Sequence, residues 1–220
     1  MLGPCRRAPA FRSNRRSEPC PPTTPPDHEA PADRPIEALL RRRWSPRSFT
    51  DQPVSAAALE TLLEAARWAA SCNNAQPWHY LIARRQEDAA AFEALLGCLT
   101  PNNQGWAKHA PVLMLSVART TFPANGNPNR HGWHDTGAAS AQMALQAAAL
   151  GLQLHQMAGF DPARAREVFA IPAEYDPAAA IALGHPGSAD ALPEALRQRE
   201  TAPRARRPVA EFAYFGKWGG

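Results

Sequence analysis

Three short segments of the chain carry residues able to bind a ligand or do chemistry. The first is Arg42-Arg43-Trp44-Ser45-Pro46-Arg47-Ser48-Phe49. Alternate residues of an extended segment point the same way, so Arg43, Ser45 and Arg47 can converge on one anion. Guanidinium suits that task because its planar fork meets phosphate oxygens with two parallel hydrogen bonds. A run of three Arg is also what a solvated charge run looks like; the Ser-Pro insert and the following Phe weigh against that. The second segment is Ala69-Ala70-Ser71-Cys72-Asn73-Asn74-Ala75-Gln76-Pro77-Trp78. Its hydroxyl and amide groups donate and accept, as reading the edge of a heteroaromatic ring requires, although Asn and Ser are also ordinary turn formers. The third is Ala202-Pro203-Arg204-Ala205-Arg206-Arg207-Pro208. Arg alternates here too, between prolines that stiffen the loop. If the first and third segments meet in space, they make a pocket for a doubly charged phosphate.

Other chemistries find less support. His131-Gly132-Trp133-His134-Asp135 places two His and an Asp together, but such pairs arise by chance and no metal is expected. The four cysteines, Cys5, Cys20, Cys72 and Cys98, show no CxxC spacing, which argues against zinc and for a reduced, cytoplasmic protein. The formal charge is +4, but the basic residues are scattered Arg with 20 acids among them. That pattern fits a mildly basic enzyme with an anionic ligand better than a nucleic-acid binder. No GxGxxG follows a strand and no GxxxxGK[ST] occurs, so a dinucleotide fold and a P-loop are unsupported. No run of about 18 apolar residues exists to span a membrane.

The elements that must position these segments begin after a break in composition. Residues 1–34 hold Pro4, Pro9, Pro19, Pro21, Pro22, Pro25, Pro26 and Pro31, five Arg by residue 16, and few large apolar side chains. Such a segment buries too little surface to offset its ordering entropy and is expected to be a disordered tail, without the apolar stretch of a secretory signal. Residues 35–220 form the expected domain. Helices are expected over Ile36 to Arg43, from a Ser55 cap to Ala70, over Glu87 to Leu99, over His134 to Leu150 ended by Gly151, and from an Asp161 cap to Ala170. Strands are expected at Trp78 to Ala83, Pro111 to Ala118, Leu152 to Met157, Ala178 to Gly184 and Val209 to Phe215. The His134 to Leu150 helix is apolar around most of its circumference, which predicts a central core helix or a dimer interface.

In this order and at these separations, RRRWSPRSF, ASCNNAQPW, GLQLHQMAGFD, IALGHPG and APRARRP resemble the signature of the nitroreductase family over about residues 35–220. The resemblance implies an α+β fold, a mixed sheet flanked by helices. It also implies an intertwined homodimer with FMN at the interface and Val209 to Phe215 as an arm exchanged with the partner. It gives Arg43 and Ser45, with Trp44 between them, to the FMN phosphate. Arg47 falls near the phosphate or the pyrimidine edge, as the candidate charge for the reduced ring. Arg204 and Arg206 match the C-terminal phosphate pair. Ser71, Cys72 and Asn74 match a loop that the other subunit presents to the flavin. Ala158 and Gly159 match the backbone turn beside flavin N5, Gln142 the core helix at the ring, and Asn102 or Asn103 a ring contact. Two departures stand out: Cys72 brings a thiol toward the flavin, and Ala158 replaces a carboxylate found in some members.

The implied activity is an NAD(P)H-driven, ping-pong reduction of electron-poor acceptors such as nitroaromatics or quinones. FMN does the chemistry, with NADH or NADPH as donor and no catalytic protein nucleophile. The alternatives on the same resemblance are an FMN storage or sensor protein and a specialised flavoenzyme of dehalogenase, flavin-destroying or dehydrogenase type. Those enzymes often carry a lid, for which the short Thr120 to Trp133 segment is the one candidate.

Overall fold

A computed structural model describes residues 28–219; the tail expectation for residues 1–27, and with it Cys5 and Cys20, lies outside the described residues. The continuous apolar run expected as a strand is β2 (Val112–Arg119). It pairs with β1 (Trp78–Arg84) on one side and β4 (Tyr175–Gly184) on the other, and β3 (Gln153–Met157) lies on the far edge, in the order β1-β2-β4-β3. Leu113, Leu115 and Val117 face one core with Phe92, Leu95 and Trp106. Val112 and Met114 face a second with Leu62, Ala139 and Met143. Both sheet faces are therefore covered, which is why β2 is uniformly apolar rather than alternating.

The helices sort onto those faces. α1 (Ala38–Arg42) is short and precedes the first Arg segment. α2 (Ala56–Arg67) starts where the Ser55 side chain accepts the Ala58 N–H, as expected of an N-cap. α2 and α5 (Gly132–Ala149) cover the second core, with Leu59, Leu62 and Ala66 meeting Ala139, Met143 and Ala147. α5 ends at Gly151, whose φ of 74° is the left-handed turn that favours glycine. α3 (Ala89–Leu96), α4 (Pro101–Ala107) and α6 (Pro162–Val168) cover the first core, and Asp161 caps α6 by accepting the Arg164 N–H. α7 (Glu194–Thr201) closes the order before the C-terminal segment. None of the described helices is long and apolar enough to cross a membrane.

Four expectations are corrected. The described sheet is antiparallel throughout rather than mixed. The β3–β4 link shows why: α6 has seven residues, about 10 Å of helix, too short to carry the chain back along the sheet, so it re-enters at the end it left. Val209 to Phe215 is not a strand. It holds one 3₁₀ turn, Val209–Glu211, because its backbone bonds locally and meets no sheet edge within the chain. α4 and α7 are additional helices. Lastly, α5 is not enclosed by the core of its own chain, the first of its two expected placements: it is buried there along one face only. Asp135, Thr136, Ala139, Ser140 and Met143 face inward, while Trp133, Gly137 and Ala141 stay exposed.

Candidate functional site

The segment after α1 is held extended from below. Pro46 prevents the helix from continuing. Gln153, buried at the start of β3, accepts the Trp44 N–H (3.1 Å) and donates to the Arg42 carbonyl (3.3 Å). Two residues on, His155 Nδ1 donates to the Pro46 carbonyl (2.9 Å). The Ser48 hydroxyl donates to the Ser188 carbonyl (2.7 Å), and Phe49 bridges to Pro186. Trp44, Pro46 and Ser48 are consequently buried, and Arg43 and Ser45 share the opposite side, with Arg43 Nη1 3.4 Å from Ser45 Oγ.

His155 supports this loop as a neutral ring. Burial, with the Arg47 charge adding to it, lowers its pKa to about 4 against the backbone hydrogen bonds to Pro46 and Ser45 that favour the cation. Its folded pKa thus lies below the unfolded value of 6.5. The stability it contributes is complete above that value and is lost as pH falls through the window toward 4. The gap corresponds to on the order of 3 kcal/mol. Half-buried His185 is lowered by burial in the same direction, so a variant isolates the effect. In His155→Gln, the fall in unfolding free energy between pH 6.5 and 4 should shrink by about that amount; an unchanged fall in urea titrations would assign it elsewhere.

The C-terminal segment comes back to the same place. After α7 the chain passes Arg204, whose Nη1 donates to the carbonyls of His28 (2.7 Å) and Arg41 (3.0 Å). Arg43, Arg204 and Arg206 then lie close enough to oppose one another's charge. Burial, and then Arg206, lower the pKa of Arg43. Burial, and then Arg43 and Arg206, lower that of Arg204. Among the described residues no carboxylate lies within 4.0 Å of any of the three. Like charges, two of them partly desolvated and none directly paired, are unfavourable unless an anion joins them. The cavity they line with Ser45 and Trp44 measures about 160 Å³.

Arg47 lines that cavity too but differs from the trio. Its guanidinium is 3.7 Å from the carboxylate of Glu200, on α7. Glu200 is only 4% exposed. Its Oε1 and Oε2 accept the Arg47 N–H (2.9 and 3.1 Å), and Oε1 accepts the Ser48 N–H (3.2 Å). Glu200 therefore clasps the first Arg segment to the helix that delivers Arg204 and Arg206. Sequence reasoning missed it, because Glu-Ala-Leu-Arg-Gln-Arg-Glu-Thr is polar throughout and nothing in it marks one residue for burial.

A second cavity, of about 270 Å³, shares Arg43 and Ser45 with the first and continues along α5 and β3 between Leu40, Ala141, Leu145 and Leu154. Gln142 is half-buried on α5 beside this groove and does not line it. β3 runs out into the turn Ala158-Gly159, where the Gly159 carbonyl accepts from Asn103 Nδ2 (2.9 Å) and from the Thr100 N–H (3.0 Å). Asn103, rather than Asn102, is thus the residue against the turn. A Cβ on Gly159 would stand 2.5 Å from Asn103 Nδ2. Gly159→Ala is therefore expected to displace that amide and cost about 1 kcal/mol of stability, the value of a partly buried hydrogen bond. In an Asn103→Ala background the added methyl should cost less, with the Thr100 hydroxyl at 3.0 Å the one close contact left to yield. Equal costs in both backgrounds, by denaturant unfolding, would contradict this contact.

A cationic cavity opening into an apolar groove, on this fold, can be compared with known proteins. The model of the family described as the nitroreductase family matches residues 40–185. The chain belongs to the nitroreductase family. A solved structure described as an oxidoreductase containing FMN superposes with a TM-score of 0.81 at 33% identity, covering 87% of this chain and 96% of its own. A nitroreductase-type protein from Desulfovibrio desulfuricans, solved in complex with FMN, gives 0.64 at 28% identity, over 85% and 99% of the two chains. A Thermus thermophilus protein named NADH dehydrogenase is 29% identical over 186 residues, covering 68% of this chain and 85% of the relative.

In this nitroreductase the remaining residues singled out by sequence lie elsewhere. Ser71 caps a 3₁₀ turn, Cys72–Asn74, and its hydroxyl accepts the Gln76 N–H (3.0 Å). Asn73, Asn74 and Gln76 have φ of 52°, 51° and 47°, left-handed backbone that Asn tolerates better than most residues. The turn is anchored by Asp135 of α5, whose buried carboxylate accepts the Cys72 N–H (2.9 Å); this is the work of the carboxylate in the His131 to Asp135 cluster. Asn73 and Asn74 line a separate cavity of about 450 Å³ with Phe122, Pro123 and Asn125 of the loop considered as a lid. Within one chain, then, Arg43, Ser45, Arg47, Arg204 and Arg206 are brought together, while Ser71, Cys72 and Asn74 do not line the cavities they form.

Proposed function

We propose that this nitroreductase is an FMN-dependent oxidoreductase that draws electrons from NADH or NADPH and delivers them to electron-poor acceptors such as nitroaromatics or quinones. The observation that carries the reading is the convergence of Arg43, Arg204 and Arg206, none of them paired with a carboxylate among the described residues, at the end of a largely apolar groove. A phosphate monoester attached to a planar ring matches both parts. The names of the FMN-containing relatives and of the Thermus NADH dehydrogenase support the same cofactor and donor.

In this reading Arg43, Ser45, Arg204 and Arg206 hold the phosphate. Leu40, Leu145 and Leu154 exclude water along the groove. Arg47, its charge partly balanced by Glu200, is assigned to the pyrimidine edge of the ring. The Ala158-Gly159 backbone is assigned to the opposite edge. Bound there, FMN would supply the reversible acceptance of hydride from a nicotinamide that no side chain offers. The chain's own residues orient it and shield it from solvent.

The working unit we propose is a homodimer in the cytoplasm, where NAD(P)H is available. Ser71, Cys72 and Asn74 would then reach the flavin of the other subunit, and Gln142 would meet the ring from the core helix. Three features support this: the exposed small residues Gly137 and Ala141 on α5, the separate cavity at Asn73 and Asn74, and a C-terminal segment exposing Phe212, Phe215 and Trp218. The test is light scattering combined with flavin absorbance. The expected result is twice the 23.9 kDa chain mass with one FMN per chain. A monomer that holds FMN as tightly as the pooled protein would overturn the shared site.

A further inference from the structure

One wall of the phosphate cavity is made by His28, at the start of a segment, residues 28–32, that precedes the family match at 40–185. The His28 ring lies flat on the buried Trp44 indole, with centroids 3.7 Å apart and 6° between planes. Its carbonyl accepts from Arg204 Nη1. The Ala30 N–H donates to the Arg41 carbonyl (2.9 Å), and Glu29 pairs with Arg41 (2.8 Å). The segment is thus laid along the end of α1, two residues before Arg43. Its composition, Pro-rich and polar, gave no sign of this order.

The geometry has a consequence for Arg204. Nη1 carries two hydrogens, and the carbonyls of His28 and Arg41 accept both. The donors left over are Nε–H and those on Nη2, the fork that meets two oxygens of a phosphate. Fixing this side chain in advance removes part of the entropy cost of binding. We propose that residues 28–32 are a strap over the phosphate cavity. His28 is its positioning residue: by stacking on Trp44 it keeps the Arg204 fork set for a phosphate monoester. The proposal rests on the reading that this cavity takes the FMN phosphate.

The test compares full-length wild type, His28→Ala and His28→Phe, with affinities for FMN, riboflavin and inorganic phosphate measured by calorimetry. His28→Ala should weaken FMN and inorganic phosphate about 10-fold. Riboflavin, which has no phosphate, should be unchanged. His28→Phe, which keeps a flat ring on Trp44, should return both phosphate-bearing ligands to within about 2-fold of wild type. An unchanged His28→Ala, an equal loss for riboflavin, or a His28→Phe as weak as His28→Ala would each overturn the strap. A wild type that takes inorganic phosphate but not FMN would sink the FMN reading, and the strap would then be decided on phosphate alone. A wild type that takes neither would overturn both.

Discussion

Arg43→Met and Arg204→Met are each expected to weaken FMN binding about 10- to 100-fold and to leave riboflavin binding nearly unchanged. A hydrogen bond from a charged donor to a phosphate oxygen is worth about 1.5–3 kcal/mol, and each 1.4 kcal/mol is tenfold in affinity. Methionine keeps an unbranched stem in the space of the arginine stem, so packing is retained and charge is removed. The apo protein should respond differently. Burial and mutual repulsion already disfavour these charges, so Arg43→Met should hold apo stability within about 0.5 kcal/mol. Arg204→Met should lose about 1 kcal/mol with its two carbonyl bonds. Fluorescence titration and urea unfolding read the two effects separately. An arginine trio serving only structure would show the reverse: large stability losses and equal effects on FMN and riboflavin.

The second large effect is expected at Glu200. Glu200→Ala leaves the N–H groups of Arg47 and Ser48 without their acceptor and removes the partner of the Arg47 guanidinium. Each unsatisfied buried donor costs about 1–3 kcal/mol. The Arg47 pair adds little, because that side chain is 26% exposed. We expect a loss of about 3 kcal/mol, or roughly 6–12 °C in Tm for a domain of this size. Glu200→Gln, which keeps one acceptor oxygen, should lose about half as much. FMN binding should weaken in both variants, because the clasp sets the Arg43 loop against the segment bearing Arg204. Wild-type stability in Glu200→Ala would show that the carboxylate holds neither element.

The parts of this structure that were legible in the sequence are those decided locally. The unbroken apolar run of β2 could only be a strand covered on both faces, and it is. Ser55, Asp161 and Gly151 fix helix ends through their own side chain or backbone freedom, and they do so here. Alternation placed Arg43 and Ser45 on one side of an extended loop, and the contact between them follows. What was not legible depends on a distant partner. Val209 to Phe215 is rich in apolar and aromatic residues like a strand, but such a segment becomes one only when it pairs with a sheet edge, and among the described residues its backbone bonds only locally. Pro-Asn-Asn-Gln-Gly-Trp-Ala carries no helical apolar pattern, yet burial of Trp106 and Ala107 makes it α4. Glu200 is an ordinary surface residue until α7 lies on the backbone of Arg47. Residues 28–32 carry a tail's composition, and the order they show comes from Trp44 and Arg204, which sequence proximity does not reveal.

The central claim is that the cavity and groove hold a flavin that accepts electrons from a nicotinamide. It is tested most directly by the absorbance spectrum of the purified protein, before and after anaerobic addition of NADH or NADPH. The account predicts flavin bands that bleach on addition and return with an electron-poor acceptor. A protein that stays colourless after incubation with FMN, or flavin bands that neither nucleotide bleaches, would contradict it.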